Sequence, residues 1–175
     1  MMVPLKKLFD LKKLFLSKII SGFAVDAKKG LGRPLFEAIS GITPNVNVDL
    51  LCYDRKKRFA LVFREDKFYG PGWHIPGGVL RFKEKLITRL YLTAETELKL
   101  EEIESVSRVN ISEIFATDRD VRGHFISFLY KAKSFELDNL DDYDPAVKYI
   151  DGSIAMFYDP PEDIIRQHKQ FSYLL

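Results

Sequence analysis

The chain has little cysteine, no excess of charge of either sign and no long apolar run, and each shortage narrows what it can be. One cysteine, Cys52, can form neither an internal disulfide nor, alone, a thiolate metal site. It lies in the apolar run "VDLLCY", where a buried, inert thiol in a reducing compartment is expected, and with it a cytoplasmic protein. Basic and acidic residues number 27 and 25, so no global field points to nucleic acid, and any anionic ligand must be recognised locally. Nothing approaches the ~18 uninterrupted apolar residues of a membrane span. Repeats and low-complexity linkers are also missing. What remains is a 175-residue chain with 46% apolar residues, enough for one well-packed domain and a modest appendage.

The appendage is the opening segment, residues 1–22. In "LKKLFDLKKLFLSKII", at about 100° per residue, Leu5, Leu8, Phe9, Phe15, Leu16, Ile19 and Ile20 share one broad helical face. Lys6, Asp10, Lys13 and Ser17 lie opposite. Lysines interrupt the segment throughout and no small-residue cleavage site follows a continuous apolar core, so it does not read as a secretory signal. Such a face suits packing on the domain, packing on a second subunit in a homodimer, or peripheral contact with an anionic membrane surface.

After a loop around "DAKKGLGRP", "LFEAISG" reads as a short helix ended by Gly41. "NVNVDLLCYD" and "FALVFRED" read as two strands joined by the charged turn "RKKR", a hairpin. "HIPGG" is a brief strand and turn, and Lys83 to Lys99 carries helical spacing through Leu86, Leu90, Ala94 and Leu98. "SRVNISEIFAT" and "GHFISFLYKAKSF" read as strands, "IAMFY" as a short one, and "PPEDIIRQHKQF" as a helix opened by prolines. The pattern is α/β (α+β): a mixed β-sheet covered by helices.

One stretch carries more than pattern. In "GWHIPGGVLRFKEKLITRLYLTAETELKL" a glycine pair precedes a helix, which lets the backbone approach a ligand and offers unpaired N–H groups to an anion. The spacing resembles the box of the Nudix hydrolase family: glycine, five residues, glutamate, seven residues, then Arg-Glu-apolar-x-Glu-Glu-x-Gly-apolar. Gly78, Glu84, Ala94, Glu97 and Leu100 fall in register, while Leu92, Thr93, Thr96 and Lys99 replace the arginine, two glutamates and the last glycine. The box is degenerate. "TPNVNVDLL", "LVFR", "GWHIPGG" and "ELKL" extend the likeness to the GDP-mannose mannosyl hydrolase-like branch, over residues 36 to 171 of the expected Nudix-like domain 36–175.

The resemblance implies a Nudix-like sheet sandwiched between helices, and a hydrolase acting on a nucleoside diphosphate linked to another moiety, with Mg²⁺ or Mn²⁺ assisting. By the same likeness Arg64 and Trp73 bind substrate, the Gly77 carbonyl and Glu97 ligate the metal, and His124 stands near substrate as a catalytic candidate, to bind phosphate or take part in proton transfer to the leaving group. The branch's late-loop histidine is missing from "VKYIDGSIAMFY", leaving Asp151 as the nearest candidate to ligate or accept a proton. His124 also admits a plain structural reading, a strand-end histidine bonded locally, and His74 and His168 read as structural or solvent-facing. Val79 stands where the mannosyl hydrolases carry an arginine, which argues against GDP-mannose itself.

The box helix adds a reading of its own. Arg89, Thr93, Thr96 and Glu97 share about a third of its circumference, so a guanidinium and two hydroxyls occupy a face that carboxylates hold in the family. Arginine's planar fork can bind a diphosphate without a bridging metal, or Arg89 can face water and pair with Glu95 or Glu97. Two functions follow: a hydrolase of a nucleotide-sugar-like compound, or a catalytically inactive Nudix-like binding or regulatory module.

Overall fold

Alternation along "NVNVDLLCY" sorts the core into two layers. A computed structural model of the chain describes residues 5–23, 29–68 and 70–174, with the side chains of residues 11–22 in the first of these. Helices α1 (Leu5–Phe23) and α2 (Arg33–Ser40) precede β1 (Asn45–Tyr53). Val48, Leu50 and Cys52 of β1 face one layer and Leu51 the other, so the strand is buried on both sides. Burial pushes the Cys52 thiol up to about 12, as expected of an inert cysteine.

The charged turn closes a hairpin, but β1 and β2 (Phe59–Arg64) pair only at its base, Tyr53 opposite Phe59. Beyond that point the strands part. β3 (Gly72–His74) pairs with β2, and β4 (Gly77–Val79) pairs with β1, so Ile75–Pro76 carries the chain across the fork. After α3 (Leu86–Leu98) come β5 (Glu104–Phe115) and β6 (His124–Lys133), then β7 (Ile154–Phe157). β6 runs parallel to β1 along its whole length, β5 is antiparallel to β6, and β7 is antiparallel to β2. The result is one mixed seven-stranded sheet, the mixed α/β class expected.

One face is covered by α3. Leu90, Ala94 and Leu98, spaced four apart, are buried against Val48, Leu50, Cys52, Ala60 and Val62. Full burial contributes roughly 1.5–3 kcal/mol for each leucine. The helix ends at Lys99, which takes the left-handed conformation (φ 60°) that the box's glycine would adopt more easily.

The opposite face is covered differently from the expected second helix. Trp73 N–H donates to the Asp163 carbonyl and Ile165 N–H to the Trp73 carbonyl, so the chain there is a short bridge on β3. Only a 3-10 turn, Arg166–Phe171, follows. An extended segment tied to a strand by backbone bonds cannot also be helical.

α1 is helical as expected, yet the side chains of residues 11–22 all stand exposed, Phe15 at 65%. Packing of this helix on the domain is therefore not seen in that stretch. Its other apolar positions, Leu5, Leu8 and Phe9, lie outside the described side chains, as residues 26–28 of the expected loop lie outside the described residues. Among the described residues no helix is long and apolar enough to cross a membrane.

Arg58 fastens the hairpin turn to the 138–142 loop. Its guanidinium is buried, donating to Asp54 at 2.7 Å, Asp142 at 2.6 Å and the Leu140 carbonyl at 3.1 Å. Replacing it with methionine leaves the buried Asp54 carboxylate without its cation. Arg58→Met is expected to lower the unfolding free energy in urea by roughly 3–5 kcal/mol; a loss below about 1 kcal/mol would mean the pair does not hold the turn.

Candidate functional site

The fork between β1 and β2 opens into a cleft of about 200 Å³, lined by Asp49, Arg64, His74, Gly77, Arg122 and His168 among others. Each is delivered by a different piece of the fold. Asp49 comes from the middle of β1, Arg64 from the end of β2, His74 from the end of β3 and Gly77 from the start of β4. His168 arrives on the C-terminal 3-10 turn.

Asp49 is 1% exposed, accepting hydrogen bonds from the Asn47 amide at 2.5 Å and from the Ser127 hydroxyl. Burial pushes its carboxyl up to about 7, against the opposing pull of those two bonds and of Arg64. Gly77 is the residue opposite it. A Cβ there would meet Asp49 Oδ1 at 1.9 Å, so only glycine fits. The ladder bonds Leu50 N–H to the Pro76 carbonyl and Leu80 N–H to the Val46 carbonyl. Alternation in an antiparallel pair then turns the Gly77 peptide groups away from β1, leaving its carbonyl off the ladder.

The two cleft histidines are buried, and both are held neutral. His74 Nδ1 donates to the Val62 carbonyl at 2.6 Å, so in the neutral ring Nε2 is a bare acceptor. That Nε2 has no hydrogen-bond partner and lies 3.8 Å from a Glu97 carboxylate oxygen. Burial holds His74 below the usual imidazole range, Arg64 adding to this and Glu97 opposing it. Ile75 N–H donates to His168 Nδ1 at 2.9 Å, and burial, with His74 and Arg64 nearby, takes His168 well below its ordinary value. Burial raises the Glu97 carboxyl, but the positive charges of Arg64 and Lys99 help hold it below the ordinary carboxylate value, so it stays ionised.

Of the residues singled out in the sequence, Arg64 and Gly77 line this cleft and Glu97 stands beside it. Four others are placed elsewhere. Trp73, 1% exposed, is enclosed by Phe63, Tyr143, Tyr149 and Phe157, so its indole is a core group with no face for substrate. Arg89 is bound bidentately by Glu84, at 2.9 and 2.8 Å, not by Glu95 or Glu97. His124 contacts Glu113 at 3.0 Å and stacks on Phe115, the local arrangement of a strand-end histidine. Asp151 is exposed and accepts from Glu65 N–H at 3.0 Å, capping the loop after β2. On the box helix, Thr93 and Thr96 bond back to the Arg89 and Leu92 carbonyls, so neither hydroxyl is offered to a diphosphate.

Sequence reasoning missed Asp49, Arg122 and the inward role of His74 and His168. Asp49 had a signal: an acid between apolar neighbours in a strand buried on both faces has nowhere to go but inside. The histidines had none, because their meeting depends on the C-terminal segment docking on β3.

A divalent ion can be weighed against these donors. Among the described residues no three His, Cys, Asp or Glu side chains gather into a metal cage. The fork does bring together the ionised Glu97, the bare Nε2 of His74 and the Gly77 carbonyl turned off the ladder. That set suits an ion that keeps several waters and takes its remaining ligands from a substrate's phosphates.

No protein-family model matches the chain, and no curated protein matches it. Among the solved structures that resemble it are Nudix and MutT proteins. A NUDIX hydrolase from Nitrosomonas europaea is 16% identical, with a TM-score of 0.44 over 66% of this chain and 72% of its own. The MutT protein from Methanosarcina mazei Go1 is 15% identical, with a TM-score of 0.49 over 76% and 94%. The NUDIX domain of Shewanella oneidensis NrtR, solved with ADP ribose, is 16% identical, with a TM-score of 0.46 over 66% and 73%. Likenesses of this depth carry no inference about activity.

Asp49 makes stability depend on pH. Its folded value near 7 lies above the ordinary 3.8, so the native state holds the proton more tightly than the unfolded chain. Stability from this group is full below about pH 4 and is lost as pH rises through about 7. Asp49→Asn removes the titration, and its melting temperature relative to the unaltered protein is expected to climb between about pH 4 and pH 8. A difference that stays constant with pH would show that Asp49 does not titrate in this window.

Proposed function

We propose that the protein is a Nudix-type hydrolase acting on a nucleoside diphosphate linked to a second moiety, a nucleotide-sugar-like compound. The observation that carries this reading is the convergence of Arg64, the ionised Glu97, the bare His74 Nε2 and the off-ladder Gly77 carbonyl on one fork. Arg64 binds the diphosphate, its fork matching two phosphate oxygens. Glu97, His74 and Gly77 would hold Mg²⁺ or Mn²⁺ arriving with that diphosphate, and the ion would offset the charge of the leaving group. Asp49, titrating near neutrality beside Arg64, is the group best suited to take a proton from water. His124 and Asp151 are not carried forward in that role, because neither lines the cleft.

A second reading, a binding or regulatory module without catalysis, is favoured by the state of α3. Its two hydroxyls are bonded to the helix's own backbone, Arg89 is closed by Glu84, and one carboxylate is left on that face. The two readings separate in a turnover assay over nucleotide sugars, nucleoside triphosphates and dinucleoside diphosphates, with and without Mg²⁺ or Mn²⁺. Metal-stimulated turnover that drops by about 100-fold or more in Glu97→Gln is the result expected of the hydrolase. Absence of turnover, with a nucleotide still bound after chelation and released by Arg64→Gln, would establish the binding module instead.

A further inference from the structure

The two cleft histidines are held in opposite tautomers. His74 donates from Nδ1 to the Val62 carbonyl at 2.6 Å, which leaves its Nε2 bare. His168 does the reverse: its Nδ1 accepts from Ile75 N–H at 2.9 Å, and an imidazole nitrogen that accepts carries no proton. The His168 ring is therefore neutral, with its hydrogen on Nε2. Backbone bonds bring it to this place, since Ile165 N–H donates to the Trp73 carbonyl and His168 N–H to the Ile165 carbonyl, both at 2.8 Å. The two nitrogens lie on opposite sides of the ring. Anchoring Nδ1 on the Ile75 backbone turns Nε2–H away from that backbone, in a ring that is 7% exposed and lines the cleft with Arg64 and His74.

We propose that His168 is a substrate-binding residue, its Nε2–H donating to an oxygen of the diphosphate held at Arg64; the inference rests on the function proposed above. The donor is not taken up by its neighbour. The rings of His74 and His168 lie 6.2 Å apart at 29°, and His74 Nε2, the acceptor that Nε2–H would meet there, has no hydrogen-bond partner. The opposite tautomers also divide the work of one site. A metal ion needs a bare nitrogen and a phosphate oxygen needs a donor, and the pair presents one of each. A neutral N–H suits this position better than a second cation, because it adds a hydrogen bond to an anion without burying another positive charge beside Arg64.

Calorimetry of the full chain with inorganic pyrophosphate in magnesium buffer, run beside thermal melting, tests this with two variants that separate the ring's two bonds. Asparagine puts an acceptor where Nδ1 stands and nothing at Nε2; glutamine puts an amide N–H at the Nε2 position and leaves Ile75 without its acceptor. His168→Asn is expected to melt close to the unaltered protein and to bind pyrophosphate about tenfold more weakly, the share of one hydrogen bond to a charged group. His168→Gln is expected to melt lower and yet bind within about twofold of the unaltered protein. Long-range proton–nitrogen NMR of the unaltered protein should show His168 protonated at Nε2, with a signal that moves when pyrophosphate is added, and this decides the matter even where a variant fails to fold. Affinity that follows melting temperature in both variants, a proton found on Nδ1, or an Nε2 signal unmoved by bound pyrophosphate would overturn the role of His168 and leave the diphosphate at Arg64 intact. Pyrophosphate that does not bind, or binds equally well to Arg64→Gln, would overturn both.

Discussion

A carboxylate buried where there is no room for a Cβ holds the fork together. Asp49 joins three strands: it sits in β1, takes a hydroxyl from Ser127 of β6 and lies directly against Gly77 of β4. An ionised carboxylate in such a place costs several kcal/mol unless compensated. Two hydrogen bonds and the nearby Arg64 compensate it in part, and the carboxyl settles near 7. The same packing that closes the sheet therefore leaves a group in the cleft that changes charge near neutrality.

The cleft's charge balance follows from this one group. Arg64 supplies a fixed positive charge, Glu97 a fixed negative one, and the two buried histidines stay neutral. Protonated, Asp49 adds nothing; ionised, it opposes any bound anion. The negative charge of an entering diphosphate raises Asp49's proton affinity and the positive charge of an ion arriving with it lowers that affinity, so binding and protonation are linked with opposite signs for the two. Neutral histidines fit the same logic, because an imidazolium beside Arg64 would have to be buried next to a like charge.

What the sequence made legible was local. The hairpin, the helix over Leu86–Leu98 and both long strands could be found from periodicity, because each depends on neighbours a few residues away. The spacing of the box and of "LVFR" singled out Arg64, Gly77 and Glu97, which the fold brings to one fork. Trp73 was misplaced because a motif position says which strand a residue is on, not which face it turns to, and this one turns into an aromatic cluster. The closing helix was misjudged because its prolines do suit a helix start, while the backbone bonds to β3 that hold it extended come from residues some 90 positions away. Arg89 was given to phosphate because helical spacing ignores Glu84, which lies in the preceding loop and claims it first.

The glycine pair, the part of the motif that first suggests phosphate chemistry, has a packing reason at both positions. Gly77 makes room for Asp49, and a Cβ on Gly78 would meet Arg89 Cδ at 2.9 Å and the Thr93 hydroxyl at 3.1 Å on the other face. Both contacts belong to the fold, and both would persist in a protein that never met a nucleotide. The glycines therefore do not discriminate between the hydrolase and the binding module. Discrimination lies with an ionised Glu97 at the helix edge and a buried imidazole nitrogen with no hydrogen-bond partner 3.8 Å from it. An unpartnered buried acceptor is costly to keep, so this nitrogen and its neighbouring carboxylate, and not the glycines, bear on the function proposed above.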